Sequence, residues 1–291
     1  MMAMRKLRKL LGLALALGVM SYAGSALAQE AFAEAGSARP LSPAALSERL
    51  KEYDVVFFGE FHDQPELHEA EKALLEALYR AVGDGLALSL EMFEADNQGR
   101  LDAYLTGALD KESFLAQSRP WPNYREDYAP LVEFAKEHGL KVLAANVPRF
   151  LAAHVAKNGS TEGIEAKYRE FLPARTYAPD DAYKEKFYRQ LSAPGMPMRV
   201  PPQRLAAVYA AQCLKDDKMA ESMAAFARLN PEAKILHING SFHSDGHLGT
   251  AGKLKALAPQ AKIAVITPVE KGADCKDAPG DFVVYFTRVS K

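Results

Sequence analysis

Two stretches of the 291-residue chain place a histidine three positions after a glycine at the end of an apolar run. One is DVVFFGEFH, Asp54 to His62, which also carries Glu60; the other is KILHINGSFH, Lys234 to His243. Between them Glu91 lies near the end of LALSLEMF, and Asn146 and Arg149 lie at the exit of KVLAANVP. Two histidines, two carboxyl groups and an arginine suit hydrolytic chemistry in either of two forms. His62, Glu91 and His243 can ligate a divalent metal that lowers the pKa of a bound water. Without a metal, a carboxylate can orient a histidine that acts as general base on water. In both forms Arg149 is available to hold an anionic group, or it pairs with Glu91. The third reading involves no chemistry: the same residues support a ligand site, and Glu60 caps the next helix.

These side chains meet only if the right elements deliver them. Short apolar runs rich in β-branched and aromatic residues read as buried strands, and Gly59 and Gly240 are expected to let the backbone leave the sheet. The carboxyl edge of an open α/β sheet is where ligands bind. Helical spacing begins near Pro65 (Leu67, Ala70, Leu74, Leu78, Val82), with His68 and His138 expected on solvated helix faces. Further strands are expected at 86–93, 141–148 and in AKIAVITPV and DFVVYFTRV. Helices are expected in NQGRLDAYLTG, KESFLAQS, LVEFAKEHG, 203–229 and 248–257, and SRPWPNYREDYAP reads as a structured loop. The fold class is α/β, a mostly parallel sheet flanked by helices, with a helical cap insertion over about 150–202. The last strand follows a short polar connection and is expected to pair antiparallel at an edge.

Residues 1–28 read as a secretory signal peptide: Arg5, Lys6, Arg8 and Lys9, an apolar core, then Ala26-Leu27-Ala28. Residues 29–53 form a leader, loose to about residue 45, with Ser42 and Pro43 starting a short helix. Removing 1–28 takes away four of the 36 basic residues and no acids, which leaves 32 against 37, a net charge of −5. No basic run or basic-aromatic stripe points to nucleic acid. The remaining 263 residues suit one large domain, 54–291 with its insertion, in a periplasmic or secreted protein. Cys213 and Cys275 are the two cysteines, and an oxidising compartment permits their pairing.

The insertion carries Tyr168, Tyr177, Tyr183 and Tyr188, with Met196 and Met198 behind them. A flexible Met- and aromatic-rich cap suits a large flat ligand, and tyrosine is a haem ligand; ordinary packing of the cap is the alternative.

GEFHDQPELHEAEKALLEAL, LSLEMFEADNQGRLDAYLTG, WPNYREDYAPLVEFAKEHGLKVLAANVPR, QCLKDDKMAESM and LHINGSFHSDGHLG together resemble the ChaN family of haem-binding proteins associated with iron uptake. The resemblance runs from about Asp54 to Leu257. It implies haem as the favoured cofactor, bound through a cap tyrosine (Tyr177, Tyr183 and Tyr188 are the candidates), a homodimer holding two haems cofacially, and an outer-membrane haem or iron uptake system as partner. The wider superfamily includes Tiki and TraB proteins and erythromycin-esterase-like enzymes. Its paired Gly-x-x-His motifs and intervening glutamate fall here on His62, His243 and Glu91, which implies a metal-dependent or His/Glu-based hydrolase as the alternative. ChaN-type proteins are often lipoproteins; no cysteine stands at the cleavage site of this chain.

Overall fold

A computed structural model describes residues 31–37, 39–192 and 200–290. The expected signal peptide, and Met196 and Met198 of the insertion, lie outside the described residues. The leader is less loose than its composition suggests. Phe32–Glu34 (β1) pairs antiparallel with Pro40–Leu41 (β2), and Phe32 is fully buried with its ring edge-on to Phe58, centroids 6.3 Å apart. Helix α1 (Pro43–Leu50) follows, and Ser42 caps it by accepting a hydrogen bond from the Ala45 N–H at 3.1 Å.

The sheet centre is built from the apolar runs: β3 (Val55–Glu60), β4 (Leu86–Glu94), β5 (Lys141–Asn146), β6 (Lys234–Gly240), β7 (Ile263–Glu270) and β8 (Phe282–Phe286). Eight strands lie in the order β2-β1-β8-β7-β3-β6-β4-β5, and every pairing from β8 to β5 is parallel. The last strand therefore corrects the expectation of an antiparallel edge. β8 is in register with the second half of β7, Ile266 opposite Phe282 and Glu270 opposite Phe286. The connecting segment need only run back a few residues to reach that start, so no crossover helix is required; β1 then pairs antiparallel on the far side of β8.

Alternate side chains of β3 face opposite layers. Val56 and Phe58 join α1, α2 (Pro65–Val82) and α5 (Ala129–Glu137) on one side, with α3 (Gln98–Leu105) and α4 (Lys111–Ser118) completing that layer. Val55 and Phe57 pack against α8 (Pro202–Leu229) and α9 (Gly249–Leu257). The insertion is helical, as expected. α6 (Arg149–Asn158) and α7 (Ala182–Leu191) both rest on the first half of α8, through Ala211 and Leu214 for α6 and Tyr209 and Cys213 for α7. No described helix is long and apolar enough to cross a membrane. Cys213 and Cys275 are buried free thiols.

Gly59 and Gly240 do not make turns; both lie within strands. What they supply is room. A Cβ on Gly59 would meet Ser241 Cα at 2.9 Å and the Ile266 carbonyl at 3.0 Å, and one on Gly240 would meet His62 Cε1 at 3.0 Å. Each motif's glycine thus makes space for the residues that follow the other.

Candidate functional site

Parallel pairing brings the carboxyl ends of β3, β4 and β6 together, and with them Glu60, Glu91 and, one short turn beyond Gly240, His243. His243 is buried between two acids: its Nδ1 donates to Asp216 Oδ1 at 2.6 Å and its Nε2 lies 3.3 Å from Glu91 Oε1. Burial opposes a charge on this ring, but Glu91 and Asp216 outweigh it and raise its pKa to about 10. Burial likewise works against the Glu91 carboxylate, yet His243 and His62 hold its pKa well below the usual range, and the Gly240 N–H donates to its Oε2 at 2.8 Å. Two carboxyl groups, one at each ring nitrogen, thus favour the cationic form of His243.

Asp216 belongs to neither Gly-x-x-His motif of the sequence, yet it organises this half of the site. From α8 it accepts from His243 and from Thr250 (2.8 Å) on one oxygen, and from the Tyr183 hydroxyl (2.6 Å) on the other. Its signal was a charged residue in the buried register Cys213, Met219, Ala220, Met223 of a long helix.

His62 is the accessible member, its side chain 42% exposed. Nδ1 donates to Glu60 Oε1, the Tyr128 hydroxyl donates to that same oxygen at 3.3 Å, and Trp121 packs edge-on to the ring at 4.8 Å. Burial lowers the His62 pKa, but the Glu60 hydrogen bond and charge prevail and raise it. Nε2 is turned toward Gly240, opposite Glu91. A carboxyl group on Nδ1 with Nε2 left accessible is the geometry of an oriented general base.

Behind Glu60 lies a second group. His68 and Glu71, one helical turn apart on α2, are both buried, which corrects the expectation that His68 is solvated. Positions 67, 68, 71, 74, 75 and 78 form the core-facing register, and these two are its polar members. His68 Nδ1 donates to Glu71 Oε2 at 3.2 Å. Burial opposes charge on His68, but Glu71 and Glu60 raise its pKa to about 9; burial itself pushes Glu71 up to about 7. Among the described residues, Glu60, His68 and Glu71 are the group whose donor atoms all lie within 4.8 Å of one another.

Other candidates sit elsewhere. Arg149 pairs with Glu94 rather than Glu91, and Glu94 also binds Arg119 at 2.8 Å; the register shift late in β4 turns Glu94 toward them. Asn146 is spent on the backbone, donating to the Glu91 carbonyl at 3.0 Å. His247 makes a left-handed turn with Gly246 and pairs with Asp281 at 3.0 Å. His62, Glu91 and His243 are not among the described groups whose donor atoms all lie within 4.8 Å of one another; His243 Nδ1 is hydrogen-bonded to Asp216, and Glu91 Oε2 accepts from the Gly240 N–H.

The three candidate tyrosines differ sharply. Tyr183 is 1% exposed with its hydroxyl committed to Asp216, so its oxygen is withdrawn from any ligand on the surface. Tyr188 is half-buried against Phe187 and Tyr209. Tyr177 is 66% exposed and lines a surface groove of about 540 Å³ with Ala174, Arg175, Lys253, Ala256 and Leu257. Its backbone is pinned by Asp217, which accepts from its N–H at 2.8 Å, while Lys253 Nζ lies 5.7 Å from its ring centroid. Leu257 is exposed on the same groove. Asp217 and Glu221 also line the groove, and Lys253 is paired with Asp217. A tyrosine oxygen, apolar side chains and Arg175 fit a haem, whose iron takes a tyrosine and whose carboxylates take a cation. The cavity of about 620 Å³ beside β5, lined by Gln98, Lys136 and Lys218 among others, shares no lining residue with the Tyr177 groove.

A family model described as haem-binding uptake, Tiki superfamily, ChaN matches residues 46–254. Among solved structures the fold is similar to that of ChaN of Campylobacter jejuni, reported with cofacial haem binding: 18% identity over 88% of this chain and 96% of that one, TM-score 0.70. An erythromycin esterase in its open conformation is more distant, 17% identical over 88% of this chain and 83% of that one, TM-score 0.47. An 89-residue stretch is 28% identical to Protein RETICULATA-RELATED 5, chloroplastic, of Arabidopsis thaliana, covering 30% of this chain. That match spans only 12% of the plant protein's length.

Proposed function

Because the chain belongs to the ChaN family of haem-binding uptake proteins in the Tiki superfamily, we propose that it is an exported haem-binding protein of an iron or haem uptake system. Tyr177 is its axial ligand. The observation that carries this reading is the exposed Tyr177 on a groove that Ala174, Ala256 and Leu257 line beside Arg175. A ligand on an exposed face leaves the other side of the haem open, which suits a second copy of the chain closing over it. Export rests on the n-region, apolar core and Ala-Leu-Ala site of residues 1–28. Hemin added to the purified protein should give tyrosinate-type charge-transfer bands that Tyr177→Phe abolishes and Tyr188→Phe leaves in place. If Tyr177→Phe keeps the wild-type spectrum, the ligand lies elsewhere.

The Glu60–His62 pair favours a second activity at the strand edge: hydrolysis by water that His62 Nε2 deprotonates, with the His243 cation and Glu91 as fixed charges beside it. His62→Ala should remove turnover of model carboxylic esters at least about 100-fold while leaving the haem spectrum unchanged. Equal turnover in both proteins would sink this reading and leave the haem site untouched.

A further inference from the structure

We propose that Glu60, His68 and Glu71 form a binding site for one divalent transition-metal cation, of the Zn²⁺, Mn²⁺ or Fe²⁺ class, between α2 and the carboxyl end of β3. The inference is independent of the haem groove and uses none of its residues. Three observations carry it. One donor atom from each of the three side chains lies within 4.8 Å of the other two. All three residues are more than nine-tenths buried. Each also keeps one polar atom buried without a hydrogen-bond partner among the described residues: Glu60 Oε2, His68 Nε2 and Glu71 Oε1.

Buried polar atoms left without partners are costly, and three in one cluster ask for a common explanation. Two carboxyl oxygens and an imidazole nitrogen are a donor set for borderline divalent ions, with metal–ligand bonds of about 2.0–2.2 Å. The ion's charge would compensate two carboxylates in a place water does not reach. The outer contacts are already present. Glu60 accepts from the Tyr128 hydroxyl at 3.3 Å and from His62 Nδ1 through its Oε1, which fixes the carboxyl plane; His68 Nδ1 donates to Glu71 Oε2 at 3.2 Å, which orients the ring and leaves Nε2 as its ligand atom. Such supports orient metal ligands and tune their affinity. Because Glu60 faces the cluster with one oxygen and His62 with the other, an ion there would be tied to the accessible histidine through a single carboxyl group.

The test uses the purified full chain stripped with a chelator, then titrated with Co²⁺ followed by visible absorption and with Zn²⁺ and Mn²⁺ followed by calorimetry. One ion per chain is expected, with Co²⁺ ligand-field bands. Glu71→Gln and His68→Gln should each weaken binding more than about 100-fold, beyond the usual effect of altering an outer support. His247→Asn, at a surface histidine, should leave it unchanged. If Glu71→Gln does not fold, as judged by far-ultraviolet circular dichroism, His68→Gln and the wild-type stoichiometry decide. Absence of any ion bound at one per chain at millimolar metal would overturn the proposal. So would binding that persists in His68→Gln, since the ion would then sit at other residues.

Discussion

At the residue scale, the four histidines around the strand edge are set apart by what surrounds them. His243 is held cationic by Glu91 and Asp216, His62 is oriented by Glu60, and His68 is paired with Glu71. The fourth, His237 in β6, is buried with only Ser89 Oγ at 2.9 Å from Nδ1 and with Nε2 unpartnered. Burial drives its pKa down to about 3, so it is neutral in the folded protein. Its ordinary value is about 6.5, so below that pH the unfolded chain takes up a proton that the folded chain refuses. The stability contributed by this neutral histidine is fully present above about pH 6.5 and is lost as pH falls toward 3. At pH 5 the loss is about 2 kcal/mol, which in a domain of this size lowers the thermal midpoint by roughly 4–8 °C. His237→Gln removes the titration; its other effects, on the Ser89 hydrogen bond and the ring contact to Phe57, act at every pH alike. The wild-type advantage over His237→Gln in differential scanning calorimetry should therefore narrow between pH 7 and pH 5; an advantage that stays constant would mean His237 is not the buried neutral group described.

At the element scale, much of the frame was legible and the polar anchors were not. The runs at 55–58, 86–90, 142–145 and 235–238 are mostly apolar at successive positions, as strands covered on both faces must be, so their existence and their parallel pairing follow from composition. The residues that complete the site at the ends of β3, β4 and β6 come from helices. Asp216 on α8 and His68 and Glu71 on α2 are single charged residues inside an apolar register, and a helical pattern read for its hydrophobic stripe passes over them. β1 was hidden for the opposite reason: three residues, Phe-Ala-Glu, carry little strand signal, and it is the pairing with β8 and β2 and the fit of Phe32 against Phe58 that fix them. The anchoring role of α8 is measurable. Asp216→Asn leaves the His243 cation with one acid instead of two and weakens the Tyr183 and Thr250 hydrogen bonds that hold α7 and α9 to α8. It should cost about 3–5 kcal/mol in urea unfolding, the range for breaking a buried ion pair. A cost within error of zero would place His243 outside that network.

At the scale of the whole molecule, two regions are separated by architecture. The carboxyl edge of the sheet gathers His62, Glu60, Glu91 and His243, while the helical cap on α8 carries Tyr177 to the surface. The cap tyrosines could be named from sequence, but which one is exposed could not, because exposure is decided by how α7 packs on Tyr209 and Cys213. That packing buries Tyr183 and half-buries Tyr188, while Tyr177, ahead of α7, is held at the surface by Asp217 on its N–H and Lys253 on its carbonyl. The central claim is that this one exposed tyrosine binds haem. It is tested most directly by titrating hemin into the purified wild-type protein while visible absorption and sedimentation are followed together. A saturable ferric spectrum of the tyrosinate type at one haem per chain, with the sedimenting species doubling in mass as haem is added, is the expected result. Hemin that stays in its free, aggregated form at every ratio would contradict it.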